Sequence, residues 1–248
     1  MKYTIVHTLN YAYDSPVRSS TQYLRLTPRD TTRQKVLGWK LEAPGQPMRT
    51  QDGYGNVLHV MTVDRPVSEI TIRARGTVET SKSLDEPSDF TDSSLPPLVF
   101  LRPTALTRGD EKIADLAEPF RPRSETLAGL RDLAAAVHRQ MAEASAADMA
   151  HAFIACCQTL GVPARYVSGY VYAPKNGGEE HMAMHAWVEA WIGERWRSFD
   201  VAIDFPIGEG HIKIAVGADY LDACPIRGVR TGGGVETLLA QASVTANQ

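Results

Sequence analysis

Cysteine is scarce in this sequence, as are long apolar runs and excess charge of one sign, and each scarcity excludes a class of protein. Three cysteines in 248 residues, two of them adjacent at Cys156 and Cys157, cannot form the disulfide framework of a small secreted domain. No stretch approaches the roughly 18 consecutive apolar residues of a membrane-spanning helix. Residues 1–9 also lack the apolar core of a secretory signal. We therefore expect a cytoplasmic protein without a membrane segment.

The charged residues are balanced and interspersed along the chain. There are 26 Lys and Arg residues and 29 Asp and Glu residues, which gives a formal net charge of -3. Nucleic-acid-binding domains usually have a basic patch or stripe instead. With 43% hydrophobic residues, the chain can bury a substantial core as one large domain or two small ones. We expect no nucleic acid partner and no cofactor, and the composition leaves the oligomeric state open.

The first third of the chain has the period-two alternation that is typical of β-strands. Apolar and polar residues alternate from Tyr3 to Tyr11. Turn-forming residues at 52–56 join two later runs of the same kind. In all, four later runs have this pattern, at 22–26, 36–41, 57–63 and 68–78. Residues 1–80 are therefore predicted to form a small antiparallel β-sandwich, which would be a scaffold or a partner surface because it contains no catalytic cluster.

The rest of the chain changes to helical patterns and then to strands. Residues 81–107, rich in Asp, Ser and Pro, predict an irregular connection into a second region at 108–248. Apolar residues recur at helical spacing from Glu125 to about Glu143 and from Asp148 to Leu160. Strand patterns follow at 163–171, 185–191 and 196–200, and a turn at Gly193 and Glu194 predicts that the last two form a hairpin. A weaker strand pattern lies at 235–245.

Several ordered motifs resemble the transglutaminase-like superfamily, which shares a Cys-His-Asp arrangement with papain-type proteases. They are P-A-R-Y-V-S-G-Y from Pro163, H-A-W-V-E-A from His185 and W-R-S-F-D from Trp196. Two more, Y-L-R-L-T-P-R from Tyr23 and G-Y-G-N from Gly53, resemble the bacterial transglutaminase N-terminal region. The resemblance implies an α+β fold, in which the N-terminal antiparallel β-sandwich packs on a papain/transglutaminase-like core. That core would have a helix at the nucleophile position and an antiparallel sheet with the His and the Asp.

The resemblance also implies a catalytic site, and this chain lacks its nucleophile. Family members begin the second helix with a pattern like G-V-C-Q-D-F-A-H, which places Ala146 at the cysteine and Ala147 at the Gln. In an intact site the helix dipole and a neighbouring imidazolium lower the pKa of the thiol. A carboxylate holds the imidazole in its tautomer and orientation. His185 and Asp200 match that imidazole and that carboxylate.

Other thiols and hydroxyls are poor substitutes for the missing cysteine. Cys156 lies ten residues beyond Ala146, which is about 15 Å along a helix. Cys156 and Cys157 are expected to be buried core residues, and Cys224 has no local partner. Ser145 is the nearest hydroxyl, and its place before the helix predicts an N-cap.

Three hypotheses about function follow. The first is a catalytically degenerate protein of this family, whose cleft binds a peptide or amide, or which scaffolds a protein partner. The second is a cysteine peptidase, amidase or acyl transferase whose cysteine was engineered to Ala146. The third is a hydrolase that uses Ser145 or a metal; His181 and His185 are candidate ligands, but four residues of a strand span about 13 Å. We favour the first because the Gly, Val and Gln of the family pattern are also missing, and we expect no metal.

Overall fold

The computed structural model describes residues 1–81, 95–174, 180–203, 208 and 210–247, without the side chains of 173–174, 180–183 and 247. Residues 82–94 of the predicted irregular connection lie outside these ranges. The described part of that connection includes a 3-10 helix at Pro97–Leu101, in which Phe100 is buried. Phe100 packs edge-on against Trp196, with ring centroids 5.4 Å apart. This end of the connection is therefore packed against the rest of the protein.

The N-terminal residues form the larger of two antiparallel sheets, which curls around its own apolar core. Every second residue in the first part of its first strand is buried, as the alternation of the sequence predicts. Its first five strands, in the order β2-β5-β1-β4-β3, are β1 (Lys2–Leu24), β2 (Gln34–Glu42), β3 (Met48–Gln51), β4 (Val57–Val63) and β5 (Val67–Thr80). Two later strands, β10 (Ile226–Gly232) and β11 (Glu236–Asn247), also pair with β1.

The second sheet has four antiparallel strands in the order β8-β7-β6-β9. They are β6 (Ala164–Pro174), β7 (Glu180–Ile192), β8 (Arg195–Phe199) and β9 (His211–Gly217). β7 and β8 form the predicted hairpin. Gly193 and Glu194 in its turn have φ angles of 58° and 60°, as a two-residue type I′ turn requires.

The helices of the described chain lie mainly between residues 111 and 159. They are α1 (Glu111–Ala117), α2 (Leu127–Gln140), α3 (Ala146–Thr159) and α4 (Tyr220–Ala223), with a second 3-10 helix at Glu118–Arg123. α3 begins two residues before the predicted Asp148, and Ser145 is its N-cap as expected. Residues 149–157 of α3 are all buried, because the helix packs between the second sheet and the two preceding helices.

Two side-chain amides join the large sheet to the edge strand β9. Among the described strands β9 pairs only with β6, and an unpaired edge leaves backbone groups exposed. The Gln34 amide donates to the carbonyl of Lys213 and accepts its N–H, both at 2.8 Å. The Asn56 amide makes the same pair of bonds with Val216, at 2.7 and 2.8 Å. The two sheets are therefore held in a fixed position relative to each other.

These observations confirm the predicted α+β fold, with N-terminal antiparallel β-structure packed on a core of helices and a second sheet. The strand predicted at 235–245 is observed as β11. The division of the chain near residue 108 stays a prediction. The pairing of β10 and β11 with β1 brings the end of the chain back to its first strand. No helix in the described ranges is long and apolar enough to cross a membrane.

Replacing Asn56 tests whether the amide contacts hold the two sheets together. Asn56→Ala leaves the buried N–H and C=O of Val216 without their partners, so we expect the free energy of unfolding to fall by about 2–4 kcal/mol. Urea unfolding followed by circular dichroism measures the change. Gln46 is an exposed amide, and Gln46→Ala is the control, with an expected change within about 0.5 kcal/mol. Equal stability of the two variants would contradict this role for Asn56.

Candidate functional site

His185 and Asp200 form a close pair at the end of the second sheet. His185 lies on β7, and Asp200 directly follows β8, the strand that pairs with β7. The Nε2 atom of His185 lies 2.7 Å from Oδ2 of Asp200. The Asp200 side chain has no exposed surface, whereas 13% of the His185 side chain is exposed. The structure thus brings together the two residues that the family motifs pointed to, and only the imidazole reaches solvent.

Asp200 accepts hydrogen bonds on both carboxylate oxygens. Nε2 of His211 lies 2.9 Å from the same Oδ2 atom that contacts His185. Oδ1 accepts the backbone N–H groups of Ala202 and Ile203 at 3.1 and 3.2 Å. Burial acts to raise the pKa of Asp200, but the hydrogen bonds from the two imidazoles outweigh it and hold the pKa below its ordinary value. Asp200 is therefore an ionised carboxylate at neutral pH.

His211 is a member of this cluster that the sequence analysis missed. It begins β9, which lies two strands away from β7 in the sheet, and no motif marks it. Burial lowers the pKa of His211, although Asp200 acts against this shift. Its Nδ1 accepts the N–H of Gly208 at 3.3 Å, so the neutral ring has its proton on Nε2 and donates it to Asp200. His211 thus helps to orient the carboxylate through the same oxygen that contacts His185.

A buried ionic cluster lies on the strands that hold these histidines. Glu189 of β7 has no exposed surface and pairs with Arg165 of β6 at 2.7 Å and with Lys213 of β9. Burial acts to raise the pKa of Glu189, but the two cations outweigh it and lower the pKa far below the ordinary value. Because Glu189 follows His185 by four residues and Lys213 follows His211 by two, the ion pairs fix the strands that position both histidines.

Ala146, which the family motif aligns with the nucleophile, occupies the first position of α3. It is half-buried and packs against the main apolar core. The preceding Ser145 has both hydrogen-bonding functions of its hydroxyl engaged. Its Oγ accepts the N–H of Asp148 at 3.1 Å and donates to the carboxylate of Asp148 at 2.7 Å. The structure therefore shows a capped helix start whose first side chain is a methyl group.

All three cysteines are buried and unpaired. Cys156 and Cys157 have no exposed surface, and Cys224 is 2% exposed. Burial raises the pKa of Cys156 to about 12 and also raises the pKa of the other two thiols. Buried thiols of this kind are inert, because the thiolate is the reactive form.

The metal-binding alternative rested on His181 and His185. Both lie in β7, but the side chain of His181 falls outside the described residues. Within the described ranges, no group of three or more His, Cys, Asp or Glu side chains has a metal-binding arrangement. His185 and His211 instead share the Oδ2 atom of Asp200.

Comparison with known proteins gives matches along most of the chain. Residues 3–79 match the bacterial transglutaminase-like N-terminal region, and residues 116–201 match the transglutaminase-like superfamily. An uncharacterized protein of Mycobacterium leprae is 29% identical over 272 residues, which cover 97% of each chain. An uncharacterized protein of Mycobacterium tuberculosis is 28% identical over 275 residues, which cover 92% of this chain and 87% of that one.

A solved structure supports the same relationship. The crystal structure of "a Putative Cysteine Protease" from Cytophaga hutchinsonii superposes with a TM-score of 0.73 at 22% sequence identity. The similarity covers 100% of this chain and 92% of that one, and at this identity it concerns the fold alone. Fold and sequence matches agree with the motifs around Pro163, His185 and Trp196, and the chain belongs to the transglutaminase-like superfamily.

Proposed function

We propose that this protein is a catalytically inactive member of the superfamily that binds a peptide or amide group, or a protein partner, at the site of His185 and Asp200. The main observation is that α3 begins with Ala146, in the position of the family nucleophile. Covalent catalysis requires an activated nucleophile next to its base. A His–Asp pair alone can accept, donate and orient hydrogen bonds, but it cannot form an acyl-enzyme.

The remaining groups suit the recognition of an amide. Nε2 of His185 is bonded to Asp200, which leaves Nδ1 to make one hydrogen bond with a ligand. The N–H groups of Ala146 and Ala147 have no hydrogen-bond partner within the described chain, as is usual at the start of a helix. Such N–H groups, at the positive end of the helix dipole, favour a carbonyl oxygen. Proposed ligand contacts are therefore the Nδ1 atom of His185 and these two N–H groups.

A second candidate function is amide hydrolysis or acyl transfer by a parent sequence with cysteine at position 146. The close contact between His185 and Asp200 at 2.7 Å favours it, because that pair is what a thiolate would need. Sequencing codon 146 in the natural gene distinguishes this candidate from natural loss of the cysteine. A serine mechanism has less support, because Ser145 is engaged with Asp148.

The cellular location that fits this proposal is the reducing cytoplasm. All three cysteines are free thiols in the structure, and disulfides are rare in that compartment. A partner at the site would then be a cytoplasmic peptide or protein rather than a membrane component or a nucleic acid.

The proposal predicts that the purified protein is inactive. We expect neither hydrolysis of peptide p-nitroanilides, followed by absorbance, nor a covalent acyl adduct with activated acyl donors, followed by intact-protein mass spectrometry. His185→Ala should give the same zero rates. Turnover that survives Ser145→Ala and a chelator, but is lost in His185→Ala, would reveal an unrecognised nucleophile and overturn the proposal.

The variant Ala146→Cys tests whether the site keeps its catalytic geometry. If the start of α3 faces His185, as the family arrangement implies, a thiol there should have a pKa below the usual value of about 8.5, in the range of roughly 3.5–7.5. We therefore expect it to react with iodoacetamide at neutral pH well before the three buried cysteines, as measured by peptide mass spectrometry over time.

Two further variants make this measurement specific. His185→Ala in the Ala146→Cys background should slow the labelling, because the neighbouring imidazolium is lost. Ala105→Cys introduces an exposed thiol outside any helix and reports the rate of an ordinary cysteine. The thiol at position 146 could react no faster than the thiol at position 105, or its labelling rate could be unchanged by His185→Ala. Either result would mean that His185 and Asp200 do not belong to a catalytic arrangement.

A further inference from the structure

A cavity of about 770 Å³ lies in the large sheet and includes neither His185 nor Asp200 in its lining. Its walls come from β2, β3, β4 and residues 27–30. β2 and β3 are the two ends of the five-strand order in this sheet. The cavity therefore lies between the two ends of this curled sheet. Trp39 and Leu41 line the cavity and also pack against the apolar core of the sheet.

Two arginines and a histidine line this cavity. Arg49 and His59 are direct partners in the pairing of β3 with β4, so their side chains lie on the same face of the sheet. Arg29 lines the cavity with them. Burial, together with the charge of Arg49, lowers the pKa of His59. Nδ1 of His59 is buried and has no hydrogen-bond partner in the part of the chain that the structure describes.

Charged groups of both signs line the cavity. The carboxylate of Asp30 already accepts the backbone N–H of Val36 at 2.7 Å. Arg29 donates a hydrogen bond of 3.4 Å to the carbonyl of Gly55. Arg49 makes no hydrogen bond or ion pair with the described residues. The guanidinium group of Arg49 is therefore the charge in this cavity that a ligand can pair with, and Trp39 supplies apolar surface in the same lining.

We propose that this cavity binds a carboxylate attached to an apolar body, either as a free organic acid or as an acidic residue next to an apolar one in a peptide. Arg49 pairs with the carboxylate, since a guanidinium group matches its planar geometry and binds it through two parallel hydrogen bonds. His59 supplies a further hydrogen bond through Nδ1. The apolar body packs on Trp39 and Leu41, in a volume within the range of about 300–1,000 Å³ that small-molecule sites occupy.

Isothermal titration calorimetry with a matched pair of probes tests this site. 1-Naphthaleneacetate has the required carboxylate and apolar body, and 1-naphthaleneacetamide is its neutral isostere. We expect the acid to bind about tenfold or more tightly than the amide, because hydrogen bonds to a charged group are the stronger ones. Arg49→Gln should weaken binding of the acid about tenfold and leave binding of the amide unchanged.

Arg73→Gln is the matched control for the loss of one positive charge. Arg73 is exposed, and it alternates along β5 with Ile72 and Ala74, which are buried in the apolar core of the sheet. This variant should bind both probes as the parent protein does. Circular dichroism spectra establish that each variant is folded.

A titration with two peptides distinguishes a free organic acid from an acidic peptide as the ligand. Acetyl-Trp-Glu-Leu-amide is compared with its Gln counterpart in the same titration. If 1-naphthaleneacetate binds and the Glu peptide does not, the site is one for a free acid. If the Glu peptide binds more tightly than its Gln counterpart, the ligand is a peptide. Equal binding of acid and amide, no binding of either acidic probe up to its solubility limit, or a folded Arg49→Gln variant with unchanged affinity would overturn the proposal.

Discussion

The buried carboxylate of Glu189 is the constraint on which the second sheet depends. It lies on β7 with no exposed surface, and its two cationic partners, Arg165 and Lys213, lie on β6 and β9. An uncompensated charge in this position would cost several kcal/mol, so the three strands must keep the register in which these side chains meet. That register also places His185 and His211 within reach of Asp200. The candidate site is therefore held in place by interactions that belong to the fold.

The helix start contributes less to this framework than the strands do. Ala146 is half-buried at the beginning of α3, and the helix is held by the buried residues that follow it, from Met149 to Cys157. Alanine has the highest helix propensity, and the cap at Ser145 does not use the Ala146 side chain. In the proposed function, replacement of a cysteine by Ala146 would therefore remove the nucleophile without disturbing the packing. Loss of Asp200 would instead leave two imidazoles and two backbone N–H groups without their acceptor.

Local patterns and family motifs predicted much of this structure. The β7–β8 hairpin, the helix cap at Ser145 and the His185–Asp200 pair depend on residues close in sequence or on ordered motifs. His211, Gln34 and Asn56 could not be predicted, because their partners lie on strands far along the chain. Alternation of apolar and polar residues tells which face of a sheet a side chain occupies, but not which strand lies beside it. The cavity beside Arg49 depends in the same way on the curl of the whole sheet.

An intact His–Asp pair does not by itself imply that the protein is catalytic. Asp200 accepts four N–H groups, so its burial is compensated whether or not a nucleophile is present, and it orients His185 at no further cost. A hydrolase would need Nδ1 of His185 to take a proton from a thiol or hydroxyl at the start of α3. A binding site needs only one hydrogen bond from that nitrogen to an amide, together with the N–H groups of Ala146 and Ala147. The proposed binding role uses the imidazole and the helix N–H groups, whereas catalysis would require a thiol or hydroxyl where Ala146 has a methyl group.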